Sequence, residues 1–119
     1  MDKENVNIGI VGLGFMAVMH IRAYRQVKGA KITAICNPSG NRLDGDFSDV
    51  FGNLDSGDPV KLDMSQVKPY KDFQELLNDR SIDVIDICSP THTHLQLAKA
   101  ALASGKHVIC EKPLARTLE

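Results

Sequence analysis

The amino-acid sequence predicts an α/β domain, a doubly wound parallel sheet with helices on both faces. Three observations carry that expectation. Short β-branched runs alternate with stretches of helical apolar spacing along the chain. The first such run passes through a glycine-rich turn directly into the first helical stretch. The chain has 119 residues, 43% of them hydrophobic, which suffices for one domain with its own core.

Val6-Asn7-Ile8-Gly9-Ile10-Val11 reads as a buried strand. Apolar residues at 15, 18, 19, 21, 24 and 27 predict a helix over 15–27, with Gly29 as its stop. Residues 31–36 form a second strand, ended by the turn formers Asn37-Pro38-Ser39-Gly40. Residues 38–66 are an insertion rich in Asp, Gly, Ser and Asn. Within it, Phe47, Val50, Phe51 and Leu54 have the spacing of a short helix, and 64–67 that of a further helical turn. Residues 68–70 are a short strand. Asp72 caps a helix over 73–78, with Glu75 placed to complete a capping box. Residues 82–88 are a strand, Thr93 caps a helix that runs through Ala103 to the stop Gly105, and 107–110 is the last strand. Strands joined by helices form right-handed parallel units. Cys36, Cys88 and Cys110 each close a strand and are therefore expected together at the carboxyl edge of one sheet.

Composition excludes several classes of partner. Fourteen basic and 15 acidic residues leave a formal charge of −1, with no electrostatic footprint for nucleic acid or an anionic membrane. No apolar run approaches the roughly 20 residues of a membrane span. Met1-Asp2-Lys3-Glu4-Asn5 leads into the first strand with no cleavage pattern, and three cysteines without a C-x-x-C pair read as reduced thiols. The expectation is a cytoplasmic protein. The chain ends at Thr117-Leu118-Glu119, where another helix would begin, and so reads as residues 1–119 of something longer.

Gly12-Leu13-Gly14-Phe15-Met16-Ala17 matches G-x-G-x-x-G/A between strand and helix. In that pattern Gly12 allows the tight turn, Gly14 admits a pyrophosphate to the backbone, and Ala17 lets the helix lie close to the sheet. The helix N-terminus offers unpaired N–H groups to the anion. A Rossmann-type fold binding NAD or NADP follows, with Gly12, Gly14, Phe15, Met16 and Ala17 as cofactor contacts. Asn37 stands where an acidic residue normally holds the adenosine ribose, and equally reads as a turn residue before Pro38. Ser89-Pro90-Thr91-His92-Thr93-His94 opens a helix at the ligand-binding edge, so Ser89, Pro90, Thr91 and His94 are candidate cofactor contacts. The i, i+2 spacing of His92 and His94 does not put them on one helix face, and no metal site is expected. Glu111-Lys112-Pro113 follows the last strand. Lys112 is either a group that hydrogen-bonds substrate and exchanges a proton or a surface residue paired with Glu111.

Ala98 to Leu114, Ala-Lys-Ala-Ala-Leu-Ala-Ser-Gly-Lys-His-Val-Ile-Cys-Glu-Lys-Pro-Leu, resembles the A-x-x-A-L-x-x-G-K-H-V-x-x-E-K-P-L stretch of the glucose-fructose oxidoreductase / inositol dehydrogenase / rhizopine-catabolism family (Gfo/Idh/MocA). Ser89 to His94 is similar to that family's S/T-P-N/T-x-x-H motif, and His20 matches a frequent position, read here as structural. The resemblance implies a dehydrogenase that oxidises a secondary alcohol of a sugar, polyol or related small molecule with a dinucleotide. It implies that Lys112 contacts the reacting hydroxyl and assists proton transfer, and that Glu111 and His94 border the nicotinamide pocket. It also implies a following α+β domain that carries the substrate pocket and joins a homo-oligomer, so that these 119 residues alone are inactive. Two features depart from the family: Asn37 replaces the usual acid, and the insertion after it is longer. The neutral Asn37, with Ser39 and the guanidinium of Arg42 nearby, tilts the cofactor expectation slightly to NADP. A dinucleotide-sensing regulatory protein on the same fold is the alternative, since it needs the glycine turn but not Lys112.

Overall fold

The computed structural model describes residues 5–48 and 60–110. Five strands form one parallel sheet in the order β3-β2-β1-β4-β5: β1 (Val6–Val11), β2 (Ala30–Cys36), β3 (Lys68–Tyr70), β4 (Val84–Ile87) and β5 (His107–Cys110). The helices are α1 (Phe15–Tyr24), α2 (Phe73–Leu77) and α3 (Thr91–Ala103). The period-2 alternation of the strands divides the core. Ile8, Ile10, Ile35 and Val84 face α1, where they pack on Ala17, Val18 and Ile21. Val11, Ala34, Ile85 and Ile87 face α2 and α3, where they pack on Leu76, Leu77, Ala98 and Ala101. Both faces are covered, as a parallel sheet requires. Among the described residues no helix is long and apolar enough to cross a membrane.

The expected strands and their common direction are present, and the three cysteines do close the sheet at one edge: Val11 pairs with Cys36, Ile87 pairs with Cys110, and the Cys88 amide donates to the Val11 carbonyl. Several boundaries differ from expectation. Helix α1 stops at Tyr24 rather than 27. Its continuation tightens, with the Gln26 and Val27 amides donating three residues back to Ala23 and Tyr24, and Val27 is half exposed with no core to meet. β4 is shorter than 82–88 because Ile82 is still held in a turn, its amide donating to the Asp79 carbonyl. Helix α3 begins at Thr91, three residues earlier than a cap at Thr93 implies, because Pro90 at φ −58° already supplies its entry. Thr93 therefore lies inside the helix and turns its hydroxyl back to the Pro90 carbonyl, 2.6 Å away, instead of capping. Asp72 does cap α2 by accepting from the Gln74 amide. Among the described residues no bond returns from Glu75, so only half of the expected box forms. Gly105, at φ +87°, ends α3: its amide donates to Leu102 and the Lys106 amide to Ala101, which is a Schellman closure.

The described part of the insertion contributes to the core. Phe47 is 2% exposed and lies in extended backbone, its amide donating to the Val60 carbonyl beside an antiparallel bridge between Asp46 and Lys61. The expected helix from Phe47 therefore does not start there, and its other members, Val50, Phe51 and Leu54, lie outside the described residues. The pairing of Phe47 with Val60 across the chain supplies backbone partners that a short helix would have had to find locally. Residues 64–67 form a single turn closed by the Val67 amide on the Met64 carbonyl, next to a bond from the Gln66 amide to the Asp63 carbonyl. Phe47, Val60 and Val67 fill the α1 face of the sheet beside α1.

Candidate functional site

The turn after β1 is wedged between two neighbouring strands. The Gly12 amide donates to the Cys36 carbonyl at 3.0 Å, and Gly12 sits at φ +88°. A Cβ there would lie 2.5 Å from the Ser89 amide nitrogen and 2.8 Å from the Cys88 carbonyl carbon, so only glycine fits. Gly14 differs. Its φ of −108° suits any residue, yet a Cβ there would meet nothing within 4 Å. Gly14 is the N-cap of α1 and makes no side-chain cap, and Phe15 and Met16, which open the helix, are exposed. Ala17 is fully buried against the sheet, which places the helix close to the strands.

α3 also starts at this edge, at Pro90, again without a side-chain cap. Both helix N-termini open on one cavity of about 820 Å³. It is lined by Gly12 and Gly14 after β1, by Phe15 and Met16 at the start of α1, and by Ser89, Pro90 and Thr91 where β4 leads into α3. Asn37, Ser39 and Arg42 border the end beyond β2. Ser89 and Thr93 join their hydroxyls at 2.6 Å, and His94, 4% exposed, donates from Nε2 to the Ser89 carbonyl at 2.8 Å. These bonds fix the turn between β4 and α3 on one wall of the cavity. Leu13, Phe73, Cys88, Gln96 and Leu97 also line it, and sequence reasoning named none of them as site residues. Their signal was only apolar or polar character near a motif, which does not distinguish a cavity wall from a core.

Asn37 does what a turn residue does: its side-chain amide donates to the Asn41 carbonyl at 2.9 Å. It also lines the cavity, which leaves its side chain within reach of a ligand there. Ser39 Oγ accepts from the Asn41 amide. Arg42 has φ +61°, the sole positive-φ residue besides glycine among the described residues, and its Nη1 donates to the Leu13 carbonyl at 3.1 Å. Its guanidinium is thus held at the glycine turn. Glu111 and Lys112 lie outside the described residues.

A second polar group lies behind the glycine turn. Asp86, in β4, is wholly buried. Its Oδ2 accepts from the Tyr24 hydroxyl at 2.5 Å and meets His20 Nδ1 at 2.7 Å. Cys88 Sγ lies 3.5 Å from Asp86 Oδ1 and 3.4 Å from His20 Nδ1. Burial and the bond to Asp86 push the Tyr24 phenol well above its ordinary range, so it remains a donor. A lone carboxylate inside the apolar run Val84-Ile85-Asp86-Ile87 was the sequence signal for this group, because a buried charge needs partners.

Residues 6–119 match the model of an oxidoreductase family described by its NAD-binding Rossmann fold. Among curated proteins the chain is similar to levoglucosan dehydrogenase of Pseudarthrobacter phenanthrenivorans, with 34% identity over 98% of this chain and 28% of that protein. It is similar to myo-inositol 2-dehydrogenase of Thermotoga maritima at 32% identity, over 95% of this chain and 30% of the relative. Among solved structures, scyllo-inositol dehydrogenase of Lactobacillus casei with bound NAD(H) and scyllo-inositol superposes with a TM-score of 0.71 at 28% identity, covering 93% of this chain and 29% of that one. The chain thus spans less than a third of the length of these relatives.

Proposed function

This chain belongs to the Gfo/Idh/MocA oxidoreductases, as their NAD-binding Rossmann domain, and from that premise we propose that its cavity holds a dinucleotide for the oxidation of a secondary alcohol of a sugar, polyol or related compound. The open space over Gly14, between two uncapped helix N-termini, carries the reading. The residues fit the group: a pyrophosphate needs backbone N–H donors and no side chain in the way, and both conditions are met there. Gly12, Gly14, Phe15 and Met16 hold the diphosphate side, with Ala17, expected as a contact but wholly buried, serving only to seat the helix against the sheet; Asn37 holds the adenosine side, and Ser89, Pro90, Thr91, His94 and Glu111 the nicotinamide side. The nicotinamide, when bound, supplies the hydride acceptor. Lys112 Nζ holds the substrate oxygen and takes its proton. The names of the relatives, levoglucosan and inositol dehydrogenases, support the substrate class.

NAD and NADP both bind, with NADP slightly favoured. Asn37 brings no carboxylate to repel a 2′-phosphate, and Arg42 brings a guanidinium to the same border. The protein works in the cytoplasm, and a substrate-binding domain joined to this chain completes the active site and the oligomer.

The test is titration of this chain with NAD beside Gly14→Val. Binding by the parent chain, reduced at least tenfold in the variant with an unchanged melting midpoint, is the expected result; equal binding by both proteins overturns the reading. In a protein carrying this chain with its substrate domain, Lys112→Ala lowers kcat by about 10²–10⁴-fold with little change in dinucleotide affinity. Unchanged turnover would favour a dinucleotide sensor.

A further inference from the structure

We propose that His20, Asp86 and Cys88 form a binding site for a divalent cation of zinc type, set into the wall between α1 and β4. The placement follows from strand periodicity. Asp86 and Cys88 are two residues apart at the end of β4, so both face α1. His20 approaches from α1 itself. One nitrogen, one carboxylate oxygen and one sulfur all lie within 4.8 Å of one another. These donors come from positions 66 and 68 residues apart, which is why the histidine pair at 92 and 94 was the only one sequence spacing could weigh.

The donor set selects the ion. Calcium and magnesium prefer oxygen donors alone, whereas a thiolate with an imidazole suits zinc and its neighbours. Charge agrees with burial: one carboxylate and one thiolate neutralise one dication, and Asp86 is wholly buried. Tyr24, donating to Asp86 Oδ2, is the outer partner that orients the carboxylate. An entry path exists, because Cys88 lines the 820 Å³ cavity.

Binding requires a defined exchange of protons. The Cys88 thiol loses its proton to solvent as sulfur bonds the ion. The proton His20 shares with Asp86 moves from Nδ1 to Nε2, freeing the Nδ1 lone pair. Ligand bonds of about 2.0–2.3 Å in a tetrahedron require donors roughly 3.3–3.7 Å apart. The two sulfur distances, 3.4 and 3.5 Å, already meet that, and the imidazole must draw back from its 2.7 Å contact with the carboxylate. Three protein donors leave a fourth position for water.

Co²⁺ is the probe, because its bond to a thiolate gives a charge-transfer band and its tetrahedral complexes give strong visible bands. Titration of the reduced chain should produce both. They should disappear on adding Zn²⁺, persist in Cys110→Ser, and be absent in Cys88→Ser with an unchanged far-ultraviolet circular dichroism spectrum. Alkylation mapping on the unsubstituted protein supplies a second reading that needs no variant: Zn²⁺ should slow modification of Cys88 at least tenfold and leave Cys110 unaffected. Cys36 does not confuse the assay, since it is fully buried on the opposite face and burial pushes its thiol up to about 11. Absence of a charge-transfer band at millimolar Co²⁺, a band that survives in folded Cys88→Ser, or Zn²⁺-independent alkylation of Cys88 would each overturn the site.

Discussion

The two ends of the cavity are built on opposite terms. Where β1 and β4 converge, the backbone is jammed: Gly12 has no room for one carbon, and Thr93 and His94 are each hydrogen-bonded to Ser89. Beyond β2, residues 37–42 form a turn that holds itself by local bonds and borders the cavity with side chains. The first end is dictated by the fold and tolerates little. The second can change its side chains without touching the core, and so can tune which ligand is preferred. Gly14 stands between them, since its backbone does not require glycine and a Cβ there would meet nothing, whereas the proposed diphosphate would need that space.

That contrast is sharpest at Gly12. Gly12→Ala combines a positive φ with backbone atoms 2.5–2.8 Å from the new carbon. It should cost on the order of 3 kcal/mol or more and lower the melting midpoint by roughly 10–20 °C. A midpoint unchanged on thermal denaturation would show that the β1–β4 end is looser than described. Gly14→Val should do the reverse, with dinucleotide affinity down at least tenfold, about 1.4 kcal/mol, and stability intact. If its stability falls with its affinity, the distinction between the two glycines collapses.

At the β2 end the effects should be smaller and selective. Arg42→Ala should weaken NADP about tenfold and NAD less than twofold, measured by titration at matched ionic strength. Equal losses for both dinucleotides would mean that Arg42 serves the glycine turn through Leu13 and not the ligand. Asn37→Asp should have the smallest effect. A carboxylate there accepts from ribose hydroxyls and repels a 2′-phosphate, so a few-fold gain for NAD and a few-fold loss for NADP are expected. A gain for NADP would place the adenosine elsewhere.

The strands, their parallel order and the glycine turn were legible from the chain alone, because each rests on local signals: β-branched runs, turn formers, and a G-x-G-x-x-A pattern whose first glycine answers a backbone demand. Helix ends were less so. Whether Val27 continues α1 depends on what it could pack against, and Pro90 enters α3 before the residue that looked like its cap. The insertion was misread at Phe47 because local 3–4 spacing suggested a helix, whereas its backbone partner, Val60, lies far along the chain where no spacing rule points to it. The cavity residues outside motifs, and the union of His20 with Asp86 and Cys88, were decided only by tertiary structure. A strand pattern states which face a residue takes, but not which helix covers that face. An imidazole, a carboxylate and a thiol spread along the chain become one site only when β4 and α1 pack together.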